Sequence, residues 1–351
     1  MTEQGEIPMS TIVPKARLAI AAAALVLGLT PSLLLAVRIE ENFNGASASG
    51  IAYNQWQEYV VTGANFVDYS YYSNSGGFTL GTTGLGAVAA SLDGTFWIVE
   101  SGANKVWQLS PQILAAHTVP GGPSAITLGA DGNMWITESS GNKIARINTR
   151  TGVLSEFPIP TPGSIPSGLT QASDGNVWFT EYLKSKIGRV TPAGVITEYA
   201  LPSAGAIPGG IAALASVLAI CEPGVNKLAF FNVVGLVFGG ETTIPTANAY
   251  PASITVGSDR NFWFTELNGN KIGRVSAYGD VVTEYPIPTA NSQPRSITAG
   301  AGDLWFTEQG AANIGHVLIH APGDVNADGK IDVADVFYLI NFLFAGGLAP
   351  Q

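Results

Sequence analysis

The stretch Asp174-Gly175-Asn176-Val177-Trp178-Phe179-Thr180-Glu181 decides the reading, because the chain repeats it. It returns as Asp131-Gly132-Asn133-Met134-Trp135-Ile136-Thr137-Glu138 and as Asp259-Arg260-Asn261-Phe262-Trp263-Phe264-Thr265-Glu266. A shorter form is Gly302-Asp303-Leu304-Trp305-Phe306-Thr307-Glu308. Asp93 to Glu100 is a weaker copy, and Ala215 to Glu222 a degenerate one with Ala219 in the Trp position. The closing glutamates stand at 100, 138, 181, 222, 266 and 308, in steps of 38, 43, 41, 44 and 42 residues. A period of about 42 is that of a four-stranded propeller blade.

Each unit supplies four strands. Asp-Gly marks a tight turn, and the Trp-Phe-Thr-Glu run is β-prone. A second short strand follows as Lys186-Ile187-Gly188-Arg189-Val190 or Lys271-Ile272-Gly273-Arg274-Val275. Turns at Thr191-Pro192-Ala193-Gly194 and Ser276-Ala277-Tyr278-Gly279 lead into Val195–Tyr199 and Val281–Tyr285, which alternate like half-exposed outer strands. A Pro-rich connector (Pro286-Ile287-Pro288-Thr289) then feeds a short strand of small residues, Ser296-Ile297-Thr298-Ala299-Gly300. The expected fold is an all-β propeller spanning 41–320, with clear repeats over 87–318. Seven blades are expected, with six as the alternative. The segment 41–85 is aromatic and Gly-rich without a clean repeat. The last unit lacks an outer strand after His316–His320, so a closed ring needs an N-terminal strand to complete it.

Composition agrees. Of 351 residues 12% are charged, against roughly 25% in an average protein, and 42 are Gly. Radial blades bury both sheet faces, so few charges suffice. The net charge of −10 excludes a nucleic-acid binder, which needs Lys and Arg against phosphates. An apolar fraction of 46% excludes a disordered chain. Lys15 and Arg17 precede an uncharged run, Leu18 to Val37, and Ala36 suits a cleavage site. Residues 1–36 therefore read as a secretory signal, with an uncleaved anchor as the alternative. The expected location is secreted, periplasmic or cell-surface. The single cysteine, Cys221, lies in an apolar run and reads as a buried small hydrophobe.

Asp-Gly-Asn-x-Trp-Phe-Thr-Glu, then Asn-Lys-Ile-Gly-Arg-Val, then Thr-Glu-Tyr-x-Ile-Pro-Thr resembles the streptogramin (virginiamycin B) lyase family over Ala87–Leu318. The resemblance implies a seven-bladed propeller that opens a cyclic depsipeptide antibiotic by Mg²⁺-assisted elimination. It also implies a histidine in a Pro-His-Ala-Ile-Thr segment, acting with glutamates on one face of the ring. The matching segment here is Pro294-Arg295-Ser296-Ile297-Thr298, so Arg295 takes the histidine position. Arginine cannot serve as a base, its pKa being above 12. The three histidines, His117, His316 and His320, sit elsewhere. Glu266 and Glu308 match family glutamates and, with Arg295, are the weak catalytic candidates. The repeated glutamates have two readings: carboxylates facing one channel mouth and holding a cation, or structural partners of the next strand's base, such as Glu181 with Lys186 or Arg189. The second is preferred, because a single site needs no sixfold copy.

Asp324-Val325-Asn326-Ala327-Asp328-Gly329-Lys330-Ile331-Asp332-Val333-Ala334-Asp335 has EF-hand spacing. Asp324, Asn326, Asp328 and Asp335 supply side-chain oxygens, and Lys330 its carbonyl, to one Ca²⁺. With Gly323 it resembles a single dockerin type I repeat, giving a module at 322–351. Cohesin-binding dockerins carry two such repeats. The following helix, about 333–344, is apolar nearly all round and must be buried on the propeller, a protein partner or a membrane. The functional expectation is an exported, non-catalytic propeller that binds a protein or carbohydrate partner at one face. The C-terminal helix docks on a cohesin-like partner or on the propeller itself. A Mg²⁺-dependent lyase and a component of a polysaccharide-degrading system are the alternatives.

Overall fold

In the computed structural model, backbone is described for strands at 39–41, 48–53, 59–63, 66–71 and 74–79, and for residues 85–110, 113–300, 303–311 and 313–319. The strands form seven four-stranded antiparallel sheets. Six carry the repeat. Their first strands are Leu85–Ala90, Pro123–Leu128, Pro166–Gln171, Ile211–Leu214, Pro251–Val256 and Pro294–Gly300. The other sheet lies between Ala48 and Thr79, and its first strand packs against Leu85–Ala90 on one side and Pro294–Gly300 on the other. That closes a ring of first strands around one axis.

The last repeat is completed from the N-terminal side. Ile39–Glu41 pairs with Asn313–Val317 as the outer strand, with Ile39 opposite Val317 and Glu41 opposite Gly315. The missing outer strand is thus supplied as anticipated, and the propeller begins at Ile39 rather than at 41. Pairing the two chain regions in one sheet leaves no open seam, which removes an edge that would otherwise invite aggregation.

The repeat residues make the blades by identifiable contacts. Asp131 Oδ1 accepts from the Asn133 N–H at 3.2 Å and from Trp135 Nε1 at 3.0 Å. Asp259 repeats this with Asn261 at 3.2 Å and Trp263 at 3.0 Å. The aspartate therefore shapes the turn and satisfies the indole of a tryptophan that is wholly buried. Trp97, Trp135, Trp178 and Trp263 are the largest buried side chains, worth several kcal/mol each against truncation. Gly273 is required by its partner strand. A Cβ there would stand 2.1 Å from Phe264 Cζ, and Gly188 and Gly315 face Phe179 and Phe306 in the same way.

Threonine stitches blade to blade. Thr180 Oγ1 accepts from the Gly168 N–H of its own first strand at 2.8 Å and donates to Gly209 O of the next blade at 2.8 Å. Thr265 does the same with Ser253 at 3.1 Å and Arg295 O at 3.0 Å. Asparagine fixes the connectors: Asn270 Nδ2 donates to Ile287 O and Thr289 O, and its Oδ1 accepts from Ser292. Cys221 is fully buried, and burial pushes its thiol up, so it acts as the hydrophobe the sequence implied.

Candidate functional site

The antiparallel order puts the starts of the first strands and the ends of the Trp strands at one end of the ring. That end is the mouth, because it carries the position where the resemblance places catalytic groups. Arg295 stands there, exposed, on the start of Pro294–Gly300. Its Nη1 donates to Gln309 Oε1 at 3.2 Å. The residue after it, Ser296, lines a central cavity of about 480 Å³. The wall is made of small and β-branched residues such as Ala125, Gly168, Gly210, Ser253 and Thr298, and among the described residues it holds no charged side chain.

Tyr182 and Tyr250 also meet at the mouth, their hydroxyl oxygens 3.4 Å apart. The contact holds the Tyr182 phenol above its ordinary range, with burial adding to it. Composition had flagged neither tyrosine. The local signal is the residue before the proline that begins or leads into a first strand. Ile165, Ile207, Tyr250 and Gln293 precede Pro166, Pro208, Pro251 and Pro294, and all four have positive φ, at 52°, 52°, 56° and 48°. Gly122, before Pro123, reaches 70° at no steric cost. A β-branched isoleucine held left-handed costs about 1–3 kcal/mol, and such strain gathers at ligand clamps.

The repeated glutamates divide into two sets. The expected pairing with the next strand's lysine is corrected. Glu181 is in register with Lys186 along the backbone, but the ammonium reaches outward. Lys186 Nζ donates to Glu198 Oε2 at 3.2 Å and to Thr161 Oγ1 at 2.7 Å. Lys227 with Glu241 and Lys271 with Glu284 are both at 2.6 Å. These outer glutamates join neighbouring blades, as when Glu284 accepts from the N–H and the hydroxyl of Thr246. Arg189 does not reach Glu181 either; its guanidinium lies 5.9 Å from the Trp178 ring.

The Trp-strand glutamates are consequently left inside. Glu100, Glu138, Glu181, Glu222, Glu266 and Glu308 are all fully buried. Both carboxyl oxygens of Glu138, Glu181, Glu222 and Glu266 lack a hydrogen-bond partner. Glu266 is closed off by a turn: a Cβ on Gly269 would come within 2.6 Å of its Oε2. Burial first, and then the charge of Glu284, push Glu266 up to about 8, with Lys271 opposing. Burial and Glu241 push Glu222 up to about 8, and burial and Glu198 push Glu181 up to about 7. At pH 7 Glu222 and Glu266 are therefore mostly protonated, and Glu181 is about half so.

The donor set does not fit magnesium. Mg²⁺ needs ionised, converging oxygens, whereas Glu266 and Glu308 are each buried at the end of a separate blade's strand. Among the described residues no three His, Cys, Asp or Glu side chains come together. The described histidines serve the blades. His117 stacks on Trp97 with centroids 5.2 Å apart, on the outer strand Ile113–Thr118. His316 stacks on Trp305 at 4.0 Å and bonds Asp303 at 3.0 Å. In that blade it does what Arg274 does on Trp263 and Asp259. The calcium-loop residues Asp324, Asn326, Asp328, Lys330 and Asp335, the C-terminal helix, His320 and the leader all lie outside the described residues.

A closed ring of four-stranded antiparallel blades around a central cavity defines a β-propeller. The virginiamycin B lyase family model matches residues 78–329, and the chain belongs to that family. Three solved structures are similar, each 31% identical over 81% of this chain. One is the selenomethionine form of virginiamycin B lyase from Staphylococcus aureus, fully covered at a TM-score of 0.75. Another is a catalytically inactive histidine-to-alanine variant of that enzyme with quinupristin, fully covered at 0.74. The third is a streptogramin B lyase, 98% covered at 0.74. No curated protein matches the chain.

Proposed function

We propose that this protein is an exported propeller that binds a protein or carbohydrate partner at its mouth and does not run the elimination of its lyase relatives. The observation that carries this reading is Arg295. It occupies the position where the family resemblance calls for a histidine, and its guanidinium stays protonated at any working pH. Replacing one histidine leaves the Staphylococcus aureus enzyme catalytically inactive. In this chain His117 and His316 sit on outer and third strands, away from the cavity wall. Rigid first strands, neutral walls and a strained rim suit binding rather than proton abstraction. The test is incubation with a streptogramin B depsipeptide and Mg²⁺, read by mass. Intact antibiotic is the expected result. Linearisation that is lost in Glu308→Gln would overturn the reading.

The sequence at 322–351 adds a Ca²⁺-binding, dockerin-like module to the proposal, resting on the 1, 3, 5, 12 spacing of Asp324, Asn326, Asp328 and Asp335. Titration calorimetry on the intact chain should show Ca²⁺-dependent heat that Asp324→Ala abolishes. Absence of that heat in the wild type would remove the module from the proposal.

A further inference from the structure

The end of the ring opposite the mouth carries the turns between first and second strands and between third and outer strands. Its surface is unlike the rest. Among the described residues, nine of the eleven exposed large apolar side chains stand there, and Ile165 and Leu183 are at the mouth end. They recur blade after blade: Leu92 is 70% exposed, Val153 60%, Val195 60%, Val234 77%, Tyr278 89% and Val281 78%. Apolar side chains scattered singly need no explanation. A rim of them confined to one end of a disc marks an interaction surface.

The chain enters at this same end. Asn313 pairs with Glu308 near the mouth, and Val317 pairs with Leu304 and Ile39 at the opposite end. The outer strand Ile39–Glu41 therefore starts on the apolar rim. Only Arg38 separates Ile39 from the uncharged run Leu18 to Val37, whose 20 residues match the hydrocarbon thickness of a bilayer. Two residues reach about 7 Å at most, so whatever holds that run is brought directly against the rim. The charges at this end are of both signs, and Arg274 pairs with Asp259 and Arg146 with Asp131.

We propose that this end of the propeller lies on a lipid bilayer in which Leu18–Val37 is retained as the anchor, with the mouth facing away from the membrane. The apolar rim inserts at the interface in the manner of a monotopic protein. The apolar C-terminal run at 333–344 is a weaker occupant of the rim, because it begins fourteen residues beyond Ile319. The proposal rests on the export reading with the leader kept. A mature chain beginning at Val37 would overturn the proposal and leave that reading standing.

The experiment uses the full chain in phosphatidylcholine vesicles. Cys221 is buried and does not label, so single cysteines at exposed sites can carry a fluorophore without disturbing packing. Val153→Cys and Val281→Cys report the rim, and Leu183→Cys reports the mouth end. Spin-labelled lipid is expected to quench the two rim labels at least threefold more than the Leu183 label. Equal quenching at the three sites would overturn the proposal. So would rim labels that are shielded from aqueous iodide but untouched by spin-labelled lipid, the outcome expected if the C-terminal run covers the rim.

Discussion

Replacing Glu266 by Gln should make the protein less sensitive to alkali, and the size follows from the burial. The carboxyl has no hydrogen-bond partner and is fully buried. Burial, then Glu284, raise it from 4.5 to about 8. In the unfolded chain it titrates near 4.3. Between those values the folded state holds a proton that the unfolded state has lost. Stability from this group is therefore fully present below about pH 4.5 and is lost as pH rises through 8. The loss runs at about 1.4 kcal/mol per pH unit, to a ceiling of about 5 kcal/mol. Glutamine keeps the shape and cannot ionise, so its own cost is a constant offset. Urea unfolding followed by tryptophan fluorescence, from pH 5 to pH 9, should show the variant gaining on the wild type up to about pH 8 and levelling off above it. A difference that stays constant across that range would show that Glu266 is ionised and partnered in the fold, and the account of the buried glutamates would fail.

Other substitutions probe other links. At Glu284, burial acts to raise the pKa, but Lys271 and Thr246 outweigh it and hold the carboxyl below its usual range. Its stability is present above about pH 4.5 and lost as pH falls through its folded value, so Glu284→Gln should flatten the acid limb of a melting profile and, by removing the charge that helps raise Glu266, also soften the alkaline limb. Thr265→Val should cost about 1–3 kcal/mol by leaving Arg295 O and the Ser253 N–H without their hydroxyl, read as a lower urea midpoint. Gly273→Ala should cost about 3 kcal/mol or fail to fold, because the new Cβ would sit 2.1 Å from the Phe264 ring; Phe264→Leu in the same chain should restore part of it. Deleting residues 1–41 removes the outer strand from Asn313–Val317, and faster proteolysis within 303–319 is the expected result.

Some of the fold could be read from residue spacing, because a repeat states its own period. The glutamate steps, the Asp-Gly turns and the β-prone Trp strands are local features, and each blade is a local structure. The absence of an outer strand after His316 was likewise visible as a gap in a pattern. The roles of the charged repeat residues were not legible. Glu181 and Lys186 are cross-strand neighbours in register, which suggested a pair. The lysine instead reaches Glu198 on its own blade's outer strand and Thr161 of the preceding connector, and the second contact depends on how adjacent blades pack. The strain at Ile165, Ile207, Tyr250 and Gln293 was equally hidden, since nothing in an X-Pro dipeptide predicts a left-handed X.

By itself, then, the sequence determined the propeller and the length of its blade, since periodicity is a property of one chain read in order. Tertiary structure decided which carboxylates meet a cation. Six glutamates with one motif position are sealed from water, and the outer ones keep their cations. It also decided that the exposed apolar side chains share one end of the disc with the entry of the chain. Both outcomes arise from packing blade against blade, which sets burial and direction for residues far apart in sequence.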